Sequence, residues 1–374
     1  MSPPSGSASG ARELFIGLMT GTSLDGVDAV LADCAPRVPY TLAHVHTALP
    51  PALRSALLAL NRSGADEIHR SQVAAQELAR LYAATALALL DAGGVKAGDV
   101  RAIGAHGQTV RHRPELGYTV QVNAPALLAE LTGIDVVADF RSRDVAAGGQ
   151  GAPLVPAFHR LVFGSDRPRV VVNVGGISNI TALDGERVIG FDAGPGNVLI
   201  DGWMAAHFAA AFDAGGALAA TASPDEDLVA ALMNDPYFAA PPPKSTGRDL
   251  FTLDWMHAVP RVRQLDAKVV LASLTELTAR AIGDAVVRWV PRAEDVVVCG
   301  GGAHNATLMR ALQRCVGATR PVRTAAELNV PVDQVEALAF AWLAACHLHR
   351  RTGNVPEATG ARGPRVLGAL YPAA

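Results

Sequence analysis

The fold of this chain is decided by residues 16–28 (IGLMTGTSLDGVD) together with a second stretch of the same character, residues 172–181 (VNVGGISNIT). In each, an apolar run typical of a β-strand leads into a turn of glycine and hydroxyl residues, and another apolar run leads out. Such a turn exposes backbone N–H groups that suit phosphate oxygens. Each turn alone is more typical of a plain hairpin. Together, each opening one half of the chain, they predict two similar domains that hold a nucleotide between them.

The composition excludes several other classes of protein. The chain has 374 residues, of which 50% are hydrophobic, enough for two cores. A net charge of −3 gives no electrostatic reason to expect nucleic acid or an anionic membrane as a partner. The four cysteines are scattered without a C-x-x-C pair, which favours a reducing cytoplasm over a disulfide framework. No long apolar run predicts a membrane span. Residues 1–12, small and polar, predict a flexible tail.

Each half of the chain opens with three short strands and continues with helices. The predicted strands are 14–19, 27–32 and 40–45 in the first half, and 169–174, 180–183 and 187–191 in the second. Longer apolar periodicities predict the principal helices, at 71–90, 195–212, 265–290 and 331–348. The repeat predicts an α/β protein in which each half is a mixed sheet, opened by a three-stranded meander and flanked by helices.

The predicted boundary between the halves lies in residues 140–156, which are rich in glycine, arginine and aspartate and lack periodicity. We therefore expect an N-terminal domain at 13–140 and a C-terminal domain at 141–348, with the active-site cleft between them. The last segment, 349–374, could return to the N-terminal domain.

The sharpest single indication of catalysis is residues 190–197 (GFDAGPGN). Asp192 follows an apolar strand and precedes a Gly-Pro-Gly turn that opens a helix, the place where ligands of α/β sheets gather. Asp192 could instead only cap that helix. We favour a catalytic carboxylate because the turn holds the backbone away from it and leaves room for a substrate.

Other polar and glycine-rich segments carry weaker indications. Residues 300–305 (GGGAHN) follow a buried strand and offer bare backbone to a flat ring such as adenine, although a plain strand turn competes. Arg141 could bind a sugar or a carboxylate, or could equally be a solvated surface group. Glu336 could face the cleft, or could only complement a helix N-terminus. His106 and His304 are more typical of turn or core histidines than of metal ligands.

With these residues the chain resembles the anhydro-N-acetylmuramic acid kinases, bacterial cell-wall recycling enzymes of the actin and hexokinase clan of phosphotransferases. The resemblance covers nearly the whole chain, from about residue 15 to about residue 356. The motifs that carry it are 19–26 (MTGTSLDG), 104–109 (GAHGQT), 138–141 (ADFR), 148–153 (GGQGAP), 173–179 (NVGGISN), 191–197 (FDAGPGN), 242–248 (PPKSTGR) and 300–305 (GGGAHN). Thr20 departs from the serine that the family usually carries there, and keeps the hydroxyl.

The resemblance implies a two-domain actin-like ATPase fold and a cytoplasmic kinase, expected as a homodimer. The expected reaction uses ATP and Mg²⁺, cleaves the 1,6-anhydro ring of 1,6-anhydro-N-acetylmuramic acid with water, and phosphorylates O6 to give N-acetylmuramic acid 6-phosphate in peptidoglycan recycling. Two alternatives stay open. One is a different sugar kinase of the same fold, and the other is a nucleotide-binding regulatory protein without sugar chemistry.

The resemblance also implies roles for individual residues. Asp192 is the expected catalytic base, and no magnesium ligand is predicted. The expected ATP-binding residues are Thr20, Gly21, Thr22, Ser23, Leu24, Asp25, Gly26, Val27, Gly175, Gly176, Ser178, Asn179, Gly300, Gly301, Gly302 and Asn305. The expected sugar contacts are Gln108, Thr109, Asn123, Arg141 and Glu336.

Overall fold

The computed structural model describes residues 12–21, 24–247 and 250–374. Its strands are β1 (Leu14–Met19), β2 (Gly26–Asp33), β3 (Tyr40–Ala48), β4 (Val100–Ala105), β5 (Gln108–Arg113), β6 (Tyr118–Val122), β7 (Val136–Ala138), β8 (Arg169–Val174), β9 (Ile177–Asp184), β10 (Arg187–Pro195), β11 (Asp295–Cys299), β12 (Val322–Thr324) and β13 (Ala369–Tyr371).

The helices connect these strands and cover the sheets. They are α1 (Pro51–Ala59), α2 (Glu67–Gly93), α3 (Pro125–Thr132), α4 (Ser142–Ala146), α5 (Pro156–Phe163), α6 (Val198–Phe208), α7 (Glu226–Met233), α8 (Pro236–Ala239), α9 (Leu253–His257), α10 (Ala267–Trp289), α11 (Ala306–Val316), α12 (Val335–Leu348) and α13 (Pro356–Thr359).

Two sheets share one design, as the paired turns predict. The first has the strand order β13-β7-β4-β1-β2-β3 and the second the order β10-β9-β8-β11-β12. In each, three antiparallel strands form a meander, and two parallel strands extend the sheet beside the first strand of that meander. The prediction of an α/β fold with two related sheets is confirmed. Strands β5 and β6 form a separate hairpin.

Helix α12 packs against the first sheet, mainly on β1 and β4. Two glycines permit this contact: a Cβ at Gly17 would lie 1.8 Å from the Ala337 carbonyl oxygen, and one at Gly104 would lie 2.1 Å from that of Phe340. Backbone therefore rests on backbone across this interface. The return of the chain to the first half thus begins at α12, before the expected boundary at residue 348, and the division into domains stays a prediction.

The C-terminal segment is tied to the crossing segment by a buried carboxylate. Asp144, on α4, accepts hydrogen bonds from the side chains of Asn354 (2.6 Å) and Thr359 (2.8 Å) and from the backbone N–H of Gly151 (2.8 Å). Strand β13 then pairs with β7 at the edge of the first sheet. The pairing of β13 with β7 favours the expected return of residues 349–374 to the first half, whereas the Asp144 contacts join this segment to residues expected in the C-terminal domain, so the return stays a prediction.

Most predicted elements are confirmed, with some shifted ends. The helix predicted at 195–212 begins at Val198 because β10 continues to Pro195, and it ends where Ala209 takes a left-handed φ of 51°. The helix predicted at 331–348 begins at Val335. Residues 140–156 contain the short helix α4, which the lack of periodicity hid. The predicted tail, apart from Arg12, lies outside the described residues.

Helix α2 is long and apolar enough, by length and composition alone, to cross a membrane. Within the protein, 56% of its most apolar stretch is buried, and the helix packs on β2, β3 and α3. Burial of this kind is typical of a core helix. The helix, predicted at 71–90, ends at a glycine pair, where Gly94 has a left-handed φ of 64°.

Candidate active site

A cleft of about 250 Å³ lies where the two sheets face each other. Its walls come from both halves and from the start of α12: Met19, Gly21, Asp25, Asp28, His44, His46, Asn173, Gly175, Gly300, Gly301, Val332, Asp333, Val335, Glu336 and Ala337. Parallel strands β8 and β11 end here, at the carboxyl edge where α/β sheets bind ligands. A larger cavity of about 420 Å³ lies at the opposite edge, beside Arg169 and Asp295, and contains none of the predicted site residues.

Residues 20–27 are the first of the two predicted phosphate turns (the first phosphate turn). Buried contacts support this turn on the side away from the cleft. Thr20 is fully buried and its hydroxyl is hydrogen-bonded to the hydroxyl of Tyr82 at 2.6 Å. Leu24 is buried with a φ of 55°, a conformation that a branched side chain adopts only under constraint. Gly21 and Asp25 line the cleft. Thr20, Leu24 and the buried Val27 therefore shape the turn and do not face the cleft.

The other residues of the first phosphate turn are Gly26, which packs against β3, and two residues that the structure does not describe. A Cβ at Gly26 would lie 2.4 Å from the ring of His46, so strand β3 requires a glycine there. Thr22 and Ser23 lie outside the described residues, and their predicted roles stay predictions.

The second predicted phosphate turn, residues 175–179 (the second phosphate turn), is hydrogen-bonded to the turn that follows Asp192. The carbonyl of Gly175 accepts the N–H of Asn197 at 2.8 Å, and the carbonyl of Gly176 accepts the N–H groups of Gly196 and Val198 at 2.9 and 3.0 Å. Of the predicted residues in this turn, only Gly175 lines the cleft. The turn that lines the cleft at Gly175 and the turn that follows the carboxylate are thus one hydrogen-bonded unit.

The hydroxyl residue and the amide residue of the second turn, Ser178 and Asn179, do not line the cleft. Ser178 is buried, and its hydroxyl donates to the Gly194 carbonyl at 3.1 Å. Asn179 lies opposite Asp192 in the β9–β10 register. Its side chain therefore shares a face of the sheet with the catalytic candidate.

The glycine run at 300–302 closes against the second sheet. A Cβ at Gly300 would lie 2.3 Å from the side-chain oxygen of Asn173, and a Cβ at Gly302 would lie 2.3 Å from the side chain of Val174. A Cβ at Gly301 would meet nothing closer than 3.7 Å. Gly300 and Gly301 line the cleft. Asn305 is the N-cap of α11, and its side-chain oxygen accepts the Leu308 N–H at 2.9 Å. Its side chain is therefore occupied by the helix.

Asp192 lies inside β10, at a register shift between Asp192 and Gly194. One carboxylate oxygen, Oδ2, accepts the Thr246 N–H at 2.9 Å, and the backbone of Asp192 accepts the Tyr237 hydroxyl at 2.9 Å. The capping alternative is wrong, because the N-cap of α6 is Asn197 and no side chain caps it. Burial raises the pKa of Asp192 to about 7, although the Thr246 N–H, the Arg141 guanidinium and Lys244 act in the opposite direction.

The segment 241–247 contacts Asp192 through Lys244 and Thr246, and no sequence pattern predicts this contact. Lys244 donates from Nζ to the Tyr237 carbonyl at 2.9 Å and lies 4.5 Å from the centre of the Tyr237 ring. Its backbone carbonyl accepts the Asp192 N–H at 3.0 Å. The segment contributes to the motif at 242–248, of which Arg248 lies outside the described residues.

Arg141 is held by the protein and is not a loose surface group. Its NH1 donates to the Gly151 carbonyl at 2.8 Å, and its Nε and NH2 donate to His106 Nε2 at 3.2 and 2.9 Å. Burial lowers the pKa of Arg141, whereas the charges of Glu336, Asp192 and Asp144 favour its cation. The guanidinium therefore interacts with Glu336 of the cleft wall and with the carboxylate of Asp192.

Glu336 lies in the cleft wall, as one of its two interpretations predicted. Its pKa is raised by burial and by Asp28 and Asp25, while a hydrogen bond from Asn173 and the charge of Arg141 lower it. Asn173 is not among the predicted site residues, although a polar residue at the end of the apolar strand β8 is a signal that could have found it.

Gln108, Thr109 and Asn123 lie at one end of the β5–β6 hairpin and do not line the cleft. The side-chain amide oxygens of Gln108 (Oε1) and Asn123 (Oδ1) are buried and accept no hydrogen bond from the described residues. Thr109 accepts from Gln121 at 3.1 Å. Two buried acceptors without a donor are unusual, and they suit a ligand that carries hydroxyl groups.

The described residues contain no preformed group of three or more metal-ligating side chains. The acidic side chains of the cleft are Asp25, Asp28, Asp333 and Glu336. Carboxylates are the protein ligands that Mg²⁺ prefers, and this ion commonly uses one or two of them together with water and substrate phosphates. The donor set therefore fits a Mg²⁺ ion that arrives with a nucleotide.

Comparisons with known proteins agree with this geometry. Residues 13–373 match the family model described as anhydro-N-acetylmuramic acid kinase. A relative of that name in Bordetella petrii is 55% identical over 368 residues, 96% of each chain, and one in Cupriavidus metallidurans is 53% identical over 97% of this chain and 98% of its own. Among solved structures, one that aligns with this chain is the activator of the 2-hydroxyisocaproyl-CoA dehydratase from Clostridium difficile. The alignment covers 91% of this chain and 99% of that one, at 11% identity and a TM-score of 0.47. This similarity is too distant to bear on function. By its family model and its relatives, the chain belongs to the anhydro-N-acetylmuramic acid kinase family.

Proposed function

We propose that this protein uses ATP and water to open the 1,6-anhydro ring of 1,6-anhydro-N-acetylmuramic acid and to phosphorylate O6, giving N-acetylmuramic acid 6-phosphate and ADP in peptidoglycan recycling. The observation that carries the proposal is Asp192, a carboxylate whose pKa is raised to about 7 beside a cleft walled by two phosphate turns. The names of relatives with more than half of their residues identical support the choice of substrate.

Asp192 acts as the general base. Its Oδ2 is held by the Thr246 N–H, and in the described part of the chain its Oδ1 accepts no hydrogen bond, so Oδ1 can take the proton of a water molecule. A base with a pKa near 7 combines a sufficient ionised fraction with a useful affinity for that proton. As the water oxygen bonds to C1 of the sugar, the C1–O6 bond breaks.

The departing O6 then bonds to the γ-phosphorus of ATP, and ADP leaves. An ordinary glycosidase needs a second carboxyl group to protonate its leaving oxygen. Here the phosphoryl group accepts that oxygen, so a single carboxylate is sufficient. Arg141, between Asp192 and Glu336, supplies positive charge beside the reacting sugar.

The sugar binds on the Arg141 side of the cleft. The buried acceptor atoms of Gln108 and Asn123 receive donors from its hydroxyl or amide groups. Thr109 and Glu336 complete this side. All five residues were proposed from the resemblance, and the hydrogen bonds from Arg141 to His106 and Gly151 support the assignment by keeping its remaining N–H groups in place.

ATP binds between the two turns, with its phosphates at Gly21 and Gly175 and its adenosine on the bare backbone of Gly300 and Gly301. Mg²⁺, when bound, neutralises phosphate charge during transfer. Asp25 and Glu336 are the candidate side chains to hold it through water.

We also propose that the enzyme is cytoplasmic and forms a homodimer. Sedimentation at working concentration would test the homodimer.

The reaction in water enriched in heavy oxygen tests the proposal directly. Coupled hydrolysis places the label at C1 of the phosphorylated product, and mass spectrometry detects it. A kinase that acts on an ordinary sugar hydroxyl gives unlabelled product, and a regulatory nucleotide-binding protein gives no phosphosugar. Either result would sink the proposed reaction.

A further inference from the structure

His106 joins the two substrate sides of the cleft. Its ring is 5% exposed and packs on Phe340, with ring centres 4.8 Å apart. Its backbone N–H donates to the carbonyl of Leu18 at 3.0 Å, where β1 enters the first phosphate turn. Its Nε2 accepts two N–H groups of Arg141, at 3.2 and 2.9 Å. The backbone of His106 therefore contacts the strand that leads into the first phosphate turn, and its side chain contacts Arg141 on the sugar side.

The contact with Arg141 determines the protonation state of the His106 ring. A guanidinium can only donate, so Nε2 must carry a lone pair and the ring proton must be on Nδ1. Burial and the charge of Arg141 hold the pKa of His106 well below its usual range, while the backbone of Thr20 and Gly107 favours a proton on the ring. Burial and the neighbouring guanidinium both favour the neutral ring, in which Nε2 accepts from Arg141.

The same contact fixes where Arg141 points. An arginine has five N–H groups. Two of them donate to His106 and one donates to the Gly151 carbonyl. The remaining two are held in one plane by these three bonds, on a guanidinium flanked by Asp192 and Glu336.

We infer that His106 is a positioning residue that orients Arg141 toward the sugar and ties it to the first phosphate turn, so that each substrate strengthens the binding of the other. The inference rests on the proposed function, since it assigns the sugar to the Arg141 side. Coupling of this kind is reciprocal: whatever factor ATP adds to sugar affinity, the sugar adds to ATP affinity. It needs a shared rigid element, and the Leu18–His106–Arg141 connection is one.

Three variants separate this role from general packing. His106→Phe keeps a ring against Phe340 and removes the acceptor. His106→Gln can place an acceptor near the position of Nε2. His159→Phe is the matched control, because His159 is also a buried histidine with one hydrogen bond, to Thr181 at 2.9 Å, and packs on Phe163 away from the cleft.

Calorimetry with the anhydro-sugar and a non-hydrolysable ATP analogue measures the coupling without turnover. In the wild type, the analogue should tighten sugar binding. In His106→Phe, we expect the sugar Kd to rise about 10- to 100-fold, as loss of charged hydrogen bonds predicts, and the coupling factor to fall to about one. The Kd of the analogue alone should change less than about threefold. His106→Gln should restore part of the sugar affinity, and His159→Phe should leave both ligands unaffected.

A second measurement reports on Asp192. Arg141 lowers the pKa of Asp192, and Lys244 and the Thr246 N–H act in the same direction. If His106→Phe releases Arg141, the acidic limb of the rate profile moves to higher pH. Unchanged sugar affinity and coupling in His106→Phe would overturn the inference, and so would an equal loss in His159→Phe. If the wild type binds no anhydro-sugar, the proposed function falls first and the inference falls with it.

Discussion

Replacing Asp192 with asparagine separates what this carboxylate does for the reaction from what it does to the fold. Asparagine has nearly the same shape, carries no charge and cannot take a proton from water. A positioned general base contributes about 10²- to 10⁴-fold to a rate. Turnover of the anhydro-sugar should therefore fall by a factor in that range, while the affinity for an ATP analogue stays the same.

The same substitution should stabilise the folded protein above neutral pH. Burial raises the pKa of Asp192 to about 7, whereas an aspartate in an unfolded chain titrates near pH 4. Between these values the unfolded chain loses a proton that the folded protein keeps, so the wild type loses stability as the pH rises from about 4 to about 7. A difference of about three pKa units corresponds to about 4 kcal/mol, an upper limit because water in the cleft screens the charge.

Urea unfolding across the range from about pH 5 to pH 8, with turnover measured in parallel, tests both expectations. Asp184→Asn is the matched control: it removes the same charge from the β9–β10 hairpin, where the carboxylate pairs with Arg292 at 3.1 Å. We expect the Asp192 variant to be more stable than the wild type at pH 8, with a difference that shrinks toward pH 5. An Asp192 variant that is less stable at pH 8, or that keeps more than about a tenth of wild-type turnover, refutes the reasoning.

Three further substitutions test other parts of the structure. Tyr82→Phe removes the hydroxyl that holds the first phosphate turn, and the KM for ATP should rise while the melting temperature falls by an amount equivalent to about 1–3 kcal/mol; an unchanged KM would mean that the turn keeps its shape without this bond. Gly17→Ala forces a Cβ into the backbone of α12 and should destabilise the protein severely, whereas Gly98→Ala, whose Cβ meets nothing within 4 Å, should be nearly neutral in the same melting experiment. Lys244→Met removes a positive charge that lowers the pKa of Asp192, so the acidic limb of the rate profile should move to higher pH; a move to lower pH contradicts the assigned contact.

The sheets were predictable because their information is local. Each meander strand is a short apolar run bounded by turn residues, and the repeat of three strands in each half requires no knowledge of contacts. Helix α12 shows the limit. Its residues are apolar on nearly every side, so periodicity indicates a buried helix without indicating which sheet it covers. The close approach at Gly17 and Gly104, which places it on the first sheet, depends on residues more than 200 positions away.

The site was predictable to the extent that one segment carries it. Asp192 stands out because its strand, its carboxylate and the following glycine turn are adjacent in sequence. The residues that decide its chemistry are not adjacent: Thr246 and Lys244 reach it from a segment about 50 residues later. The partners of Arg141, at His106 and Gly151, come from two different segments. Sequence patterns single out the candidate base and leave its environment to the fold.

The environment of Asp192 also explains why the base and the nucleotide turn belong to one unit. Burial is the largest cause of its raised pKa, so any movement that opened the carboxylate to bulk solvent would return it toward an ordinary aspartate, a weaker base at neutral pH. The hydrogen bonds from Gly196 and Asn197 to the second phosphate turn prevent such movement on one side, and residues 241–247 cover it on the other. In the proposed reaction, the base is therefore held by the same backbone that lines the proposed phosphate site. A kinase that uses a water molecule and an ATP in one reaction requires such a connection between activation of water and binding of the nucleotide.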